Sequence, residues 1–322
     1  MELDRFPTFE LTDRIYRQLV VIDGHMSKLS AEKGKHIRVI LRKTSNIRSI
    51  NSSLAIEGNE MPLSKTIDMI DGKTVQGPFD EIVETKNAIE AYSRIGSFDI
   101  SSIEDFIEIH DIMTFGTIKK PGFREEGVGV YDGDTLIYKA PEHDQVPTLV
   151  KRLFDWYSSS RSPMIVKSAV MHFYIEAIHP FIDGNGRMGR LWQNAILREY
   201  DPGFMIVSIE YSIRNMQKEY YEVLERCQKT SDCTEFIEFS NDAIISSLES
   251  LLKLEDKKIS ALMSAMGGGS MSSSEIMDAM GISNKSYFLK NYIHPAIECG
   301  LIMMDDPEHP RSSSQKYRKT IV

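Results

Sequence analysis

Cysteine is scarce in this chain: three in 322 residues, Cys227, Cys233 and Cys299, with no CxxC pair among them. An odd number without metal-ligand spacing excludes a disulfide framework and a cysteine-based zinc site. It points to reduced thiols in a cytoplasmic protein. Long apolar runs are missing as well. None approaches the roughly 20 residues that a membrane span needs, so no membrane partner is expected. The opening residues Met1-Glu2-Leu3-Asp4-Arg5 place no basic region before an apolar block, and no signal peptide is visible. Nor is there a surplus of positive charge. Lys and Arg number 38 against 47 Asp and Glu, a formal net charge of −9. That balance argues against a general nucleic-acid coat. What is present is a chain that is 41% hydrophobic and long enough to bury a sizeable core in two or three domains.

Helical periodicity dominates the first 260 residues, with no repeated unit. Residues 1–35 read as irregular to helical, with an amphipathic start at Arg14-Ile15-Tyr16-Arg17-Gln18-Leu19-Val20. From His36 to Glu57, apolar residues at Ile37, Ile40, Leu41, Ile47, Ile50 and Leu54 line one helix face. Gly58-Asn59 stops that helix, with Pro62 just beyond. Further helices are predicted over 63–75 (with its closing turn), 80–95, 103–115, 146–157, 163–178, 215–228 and 234–254. His110, on the third of these, reads as a core or surface histidine. One interruption is different in kind. Gly127-Val128-Gly129-Val130-Tyr131 and Thr135-Leu136-Ile137-Tyr138 flank Asp132-Gly133-Asp134, the pattern of a β-hairpin.

The densest chemistry runs from His179 to Arg190: His-Pro-Phe-Ile-Asp-Gly-Asn-Gly-Arg-Met-Gly-Arg. His179 can accept a proton near neutral pH. Asp183 can hold Mg²⁺. Gly184 and Gly186 flank Asn185 and let backbone approach a ligand closely. Arg187 and Arg190 lie three apart, on one face of a helix. Apolar, helix-like stretches on both sides make this a tight loop between two helices. Gly186 and Arg187 then sit at a helix N-terminus, where unpaired N–H groups and the dipole favour an anion. No Gly-Lys-Ser/Thr follows the glycines, so this is not a Walker loop.

The spacing resembles the Fic family signature, HxFx(D/E)GNGRxxR. Every fixed position is matched, by His179, Phe181, Asp183, Gly184, Asn185, Gly186, Arg187 and Arg190. Upstream, Ser53-Leu54-Ala55-Ile56-Glu57-Gly58 resembles the inhibitory motif of that family, (S/T)xxxE(G/N). Ser53 and Glu57 share a helix face, and a carboxylate there can meet an arginine in a bidentate pair. The hairpin stands where Fic proteins carry a flap that pairs with an extended segment of the target. Gly129, Val130, Tyr131, Leu136, Ile137 and Tyr138 are its candidate docking residues.

What the resemblance implies is AMP transfer from ATP to a Ser, Thr or Tyr hydroxyl of a target protein that the sequence does not name. His179 would be the base and Asp183 the Mg²⁺ ligand bridging the α- and β-phosphates. Gly184, Asn185, Gly186, Arg187 and Arg190 would bind the phosphates, with Phe181 as an anchor beneath the loop. Glu57, pairing with Arg190, would keep the enzyme inhibited. Inhibited relatives often pair, so a homodimer is an expectation of the same origin. Removal of AMP, or transfer of another phosphate-containing group, stays open.

Past a linker at Met266-Gly267-Gly268-Gly269-Ser270, three short helices over 274–280, 283–292 and 295–300 precede two strand-like runs, 301–304 and 315–319. They look like a winged helix-turn-helix and resemble the C-terminal module of many Fic proteins. Residues 270–322 hold six Lys or Arg and six Asp or Glu. That is poor for phosphate neutralisation, and DNA binding stays open beside a structural or protein-contact role. The expected fold is therefore mainly α: a Fic-type helical bundle with a hairpin flap and a C-terminal winged module. The expected division is an N-terminal helical region over 1–100, a catalytic core over 101–265 and the module over 270–322.

Overall fold

Thr12 opens the first helix, α1 (Asp13–Glu32), by accepting the Ile15 N–H, the preferred role of a threonine at that position. This computed structural model describes residues 6–320 except 119, 120, 133, 134, 255, 308 and 313. The expected amphipathic start thus extends over 20 residues. Helix α2 (Lys35–Ile56) follows and ends where Gly58 adopts φ 87°, a left-handed conformation that glycine takes without a Cβ penalty. Next come α3 (Leu63–Ile70), α4 (Phe79–Ser93) and α5 (Ile103–Met113), the last capped by Ser102.

Strands β1 (Gly129–Asp132) and β2 (Thr135–Lys139) pair antiparallel, with the register shifting between Val130 and Tyr131. Gly133 and Asp134 of the expected turn lie outside the described residues, as do the side chains of Val130, Tyr131, Leu136, Ile137 and Tyr138. Gly129 pairs with Lys139, where the hairpin joins the body.

Helices α6 (Val146–Ser159), α7 (Met164–Ile178) and α8 (Asn185–Tyr200) form the centre. Apart from Met164 and Glu176, every α7 side chain is buried, the mark of a core helix rather than a surface one. Trp192 on α8 is buried, stacks on Phe98 and donates to the Ile100 carbonyl at 3.2 Å. After a 3₁₀ turn at Pro202–Ile206 comes a short helix absent from the sequence reading, α9 (Ile209–Asn215); the helix expected over 215–228 is α10 (Gln217–Thr230), with α11 (Thr234–Leu252) behind them. Met216 breaks the pair, at φ −111° and ψ 28°. Glu210 on α9 is buried, and its carboxylate accepts from Ser49 (2.6 Å), Tyr92 (3.1 Å) and Asn194 (2.6 Å). A buried carboxylate must be satisfied in this way, and the result is a polar bolt joining α2, α4 and α8.

A helix with no counterpart in the sequence reading, α12 (Asp256–Ala265), leads into the C-terminal part. There β3 (Met271–Ser272), α13 (Ser273–Met280), α14 (Lys285–Phe288) and α15 (His294–Glu298) precede β4 (Ile302–Met304) and β5 (Lys316–Lys319). The strands form an antiparallel sheet in the order β3-β5-β4. The middle helix is shorter than expected, because Leu289–Ile293 forms a π turn. His294 N–H reaches back five residues to Leu289, just ahead of Pro295, which has no N–H to continue an α ladder.

This part bears directly on α2. The Arg48 guanidinium lies 3.5 Å over the Tyr211 ring, and a Cβ on Gly300 would strike Arg48 Cδ. Gly300 also has φ 71°. Gly300→Ala is expected to destabilise the fold by about 1–3 kcal/mol through overpacking and backbone strain, read as a lowered midpoint in urea unfolding. An unchanged midpoint would show that this contact yields easily. Among the described residues, no helix is long and apolar enough to cross a membrane.

Candidate functional site

The loop between α7 and α8 is held by its own side chains. His179 ends α7 in the left-handed region, at φ 52° and ψ 58°, which is uncommon for a residue with a Cβ. Its Nδ1 lies 3.2 Å from the Glu176 carbonyl. A carbonyl only accepts, so Nδ1 carries the proton and Nε2 is left to take one. Burial, more than any other cause, lowers the pKa of this imidazole, which favours the neutral, basic form.

Phe181 is buried and stacks on His110, with ring centroids 3.5 Å apart and planes 4° from parallel. Asn185 closes the loop: its Oδ1 accepts the Phe181 N–H and its Nδ2 donates to the Phe181 carbonyl, both at 3.0 Å. The Asn185 side chain is thus occupied inside the loop, and only its backbone is left for an anion. Gly184 precedes α8 at φ 84°, where a Cβ would come within 2.9 Å of Thr114 Cγ2. The first N–H groups of α8 are therefore presented without side-chain cover.

Asp183 is 55% exposed at the rim. Its Oδ1 accepts the Gly184 N–H at 2.6 Å, and its Oδ2 pairs with Arg187 at 2.9 Å. Arg187 is buried and also meets Glu84 Oε1 at 3.3 Å, while Glu84 Oε2 accepts from Asn59. Arg190 is fully buried. Its Nε donates to Ser53 Oγ (3.1 Å), and its Nη2 donates to the Ser53 carbonyl (3.1 Å) and to Glu57 Oε1 (2.6 Å). The structure thus brings Ser53 and Glu57, at the end of α2, onto Arg190, 133 positions from Glu57 in the chain. The pair engages one carboxylate oxygen rather than two, because Nη2 is shared with the Ser53 backbone.

Part of this constellation faces one cleft of about 620 Å³, with Arg190 buried behind Glu57. Glu57, Glu176, His179, Asp183, Gly184 and Gly186 line it together with Lys218, Tyr221 and Gln228 of α10. The hairpin is anchored beside the loop through Arg124. That guanidinium donates to the carbonyls of His179 (2.7 Å), Glu126 (2.8 Å) and Pro141 (2.5 Å).

Comparison with known proteins fits this geometry. Residues 100–197 match the model of the Fic/DOC family, and residues 257–320 match the C-terminal domain of Filamentation induced by cAMP protein Fic-like. A crystal structure of a Fic family protein from Desulfovibrio desulfuricans G20 is 35% identical, with a TM-score of 0.72. The likeness covers 97% of this chain and 98% of that one. The chain belongs to the Fic family. Proteins named protein adenylyltransferase Fic are also similar. The one from Drosophila willistoni is 29% identical over 72% of this chain and 47% of its own length. The one from Nematostella vectensis is 31% identical over 61% and 46%. The chain spans about half the length of the curated relatives it matches. Fic-1 (residues 134–508) from C. elegans shares the fold at a TM-score of 0.60 and 22% identity, over 74% of this chain and 72% of that one.

Three supporting residues of this Fic site carry no motif, and the sequence reading gave none of them a part in it. His110 is buried, and its Nε2 donates to the Asp183 carbonyl at 2.9 Å. Glu84 holds Arg187, and Arg124 holds both the loop and the hairpin. Only their placement was visible: His110 shares the apolar face of α5 with Phe106 and Met113, at helical spacing.

Proposed function

We propose that this Fic protein is an adenylyltransferase that moves AMP from ATP to a hydroxyl of a target protein and is held inactive by Glu57. The observation that carries the reading is the meeting of His179, Asp183, the α8 N-terminus and the Glu57–Arg190 pair around one cleft. In the reaction the target oxygen attacks the α-phosphorus. The bond from that phosphorus to the bridging oxygen breaks, and pyrophosphate leaves. The hydroxyl proton passes to His179 Nε2. Backbone N–H groups of Asn185 and Gly186, at the start of α8, stabilise charge on the phosphates. Arg190 is the cation for the far end of the nucleotide once Glu57 withdraws. Arg187 is paired with Asp183 and Glu84 at rest, so its phosphate role requires that it turn from them.

Asp183 is the residue that would hold Mg²⁺. Among the described residues there is no cluster of three potential ligands, and one exposed carboxylate suits an ion that arrives with phosphates. When bound, Mg²⁺ supplies charge neutralisation on those phosphates. Asp183→Ala should abolish most of the gain in ATP affinity on adding Mg²⁺, measured by calorimetry with metal and with chelator. Asp183→Asn keeps an acceptor for Gly184 N–H and should lose the gain equally. An undiminished Mg²⁺ effect in both would remove Asp183 as the ligand.

On this reading the hairpin edge receives the target segment, beside His179. The body divides into residues 1–100 and 101–265, followed by a winged-helix module. The even charge of that module favours protein contact over DNA. The buried, free cysteines suit the cytoplasm. Removal of AMP is the second reading. It is favoured by Glu57 lining the same cleft as His179, where its carboxylate can orient a water. The experiment that tests the main reading is transfer from α-labelled ATP to protein in a cell lysate, with the modified residue identified by mass spectrometry. Nucleotide turnover without protein labelling would contradict it.

A further inference from the structure

The carboxyl group of Glu176 has no part in the chemistry above, yet it stands at its centre. It lies three residues before His179 and lines the cleft beside Glu57 and Gly186. Its Oε1 accepts from the Tyr220 hydroxyl at 3.1 Å. Tyr220 also meets Arg190 Nη1 at 3.4 Å and His172 Nε2 at 3.0 Å. A Cβ built on Gly186 would touch Glu57 Oε1, Glu176 Oε1 and Arg190 Nη1 together. Two carboxylates therefore converge on one guanidinium, which cannot neutralise both. We infer that Glu176 is a positioning residue that competes with Glu57 for Arg190, so that the grip on the inhibitory helix weakens as pH rises. This rests on the adenylyltransferase reading with Glu57 as inhibitor.

The sign follows from the charges. Burial first, and the Glu57 charge second, push the Glu176 carboxyl up to about 7. Below that pH Glu176 is neutral, Arg190 has Glu57 as its counter-ion, and the clamp is tight. Above it Glu176 is negative, repels Glu57 and offers Arg190 a second partner. The other groups around it do not change charge across this step. Tyr220 and Tyr221 are raised by burial and stay protonated. His172, lowered by burial to about 3, stays neutral. Arg190 stays cationic: burial lowers its pKa, but Glu57, Tyr220 and Glu176 raise it overall. His179 is lowered by burial toward its neutral form. Asp183, at the rim, and Lys218, Glu222 and Glu225 of α10 are the remaining charged residues lining the cleft.

The test compares label transfer from α-labelled ATP by the parent protein and by Glu57→Gly, at about pH 6 and about pH 8. The ratio of the two rates measures the clamp and cancels the pH dependence of the chemistry itself. It should be about tenfold larger at the lower pH, the factor that one pKa unit of coupling represents. In a Glu176→Gln background the ratio should be the same at both. Equal ratios in the parent background, or a pH-dependent ratio that survives Glu176→Gln, would overturn the inference. The parent-background comparison decides it even where Glu176→Gln does not fold. If Glu57→Gly activates but the ratio ignores pH, only the role of Glu176 fails. If Glu57→Gly does not activate at either pH, the inhibitor reading fails and takes this inference with it.

Discussion

Glu57→Gly should raise labelling of the protein itself or of its target by at least about tenfold. Glu57 Oε1 holds Arg190 Nη2 at 2.6 Å, a charge-assisted contact just under the roughly 2.7–2.9 Å usual for this type. While it persists, Arg190 is not available to the end of the triphosphate. ATP can still enter, but its α-phosphate is turned from the in-line path, and a misplacement of about 1 Å can cost 10²-fold. Glycine inside a helix costs roughly 1 kcal/mol, so loss of the helix end is the competing explanation for any activation. The structure weakens it, because Glu57 is the C-cap and Gly58 already supplies the left-handed turn. Glu57→Gln settles the matter. It keeps the size and an oxygen acceptor for Arg190 but removes the charge, and it should activate partially. No activation by either variant, in folded protein that binds ATP, would remove Glu57 as the inhibitor.

His179→Ala should lower transfer by 10²-fold or more, measured in the Glu57→Gly background where the parent rate is high. ATP affinity should stay nearly unchanged, since the phosphate donors lie in backbone and in α8. The imidazole is distinguished by geometry: Nδ1 is committed to the Glu176 carbonyl and Nε2 is left as the acceptor. Because His179 is left-handed, a loss with Ala can also reflect a disturbed turn. Asparagine tolerates that backbone better, so His179→Asn removes the base while keeping the loop. Equal losses in both variants, with unchanged thermal unfolding, identify a missing base. Undiminished transfer in either removes His179 from that role.

The site was legible where chemistry is local. Eight fixed residues between His179 and Arg190 state a loop, a helix N-terminus and its ligands within one short window. Ser53 and Glu57 were readable as one helix face because four positions make a turn. What the sequence could not display was the one-oxygen geometry of the Glu57–Arg190 pair. That depends on the Ser53 carbonyl, which only the docking of α2 on α8 brings close. The supports were hidden for the same reason. Arg124 bonds to carbonyls, which every residue possesses, so no spacing rule marks it. His110 and Glu84 act across tertiary contacts. In the fold, long periodic segments such as α2 and α7 were plain. The short helix α9 was not, since no glycine or proline separates it from α10 at Met216. Helix α12 was missed beside the glycine-rich stretch after Met266, where loop composition overshadowed the short run preceding it.

The central claim is His179-dependent adenylyl transfer restrained by Glu57. Its most direct test incubates Glu57→Gly with Mg²⁺ and ATP labelled at either the α- or the γ-phosphate, with the Glu57→Gly, His179→Ala double variant as control. Label from the α position should remain on protein, label from the γ position should not, and the double variant should carry neither. Retention of γ-label, or α-label that persists without His179, would contradict the account.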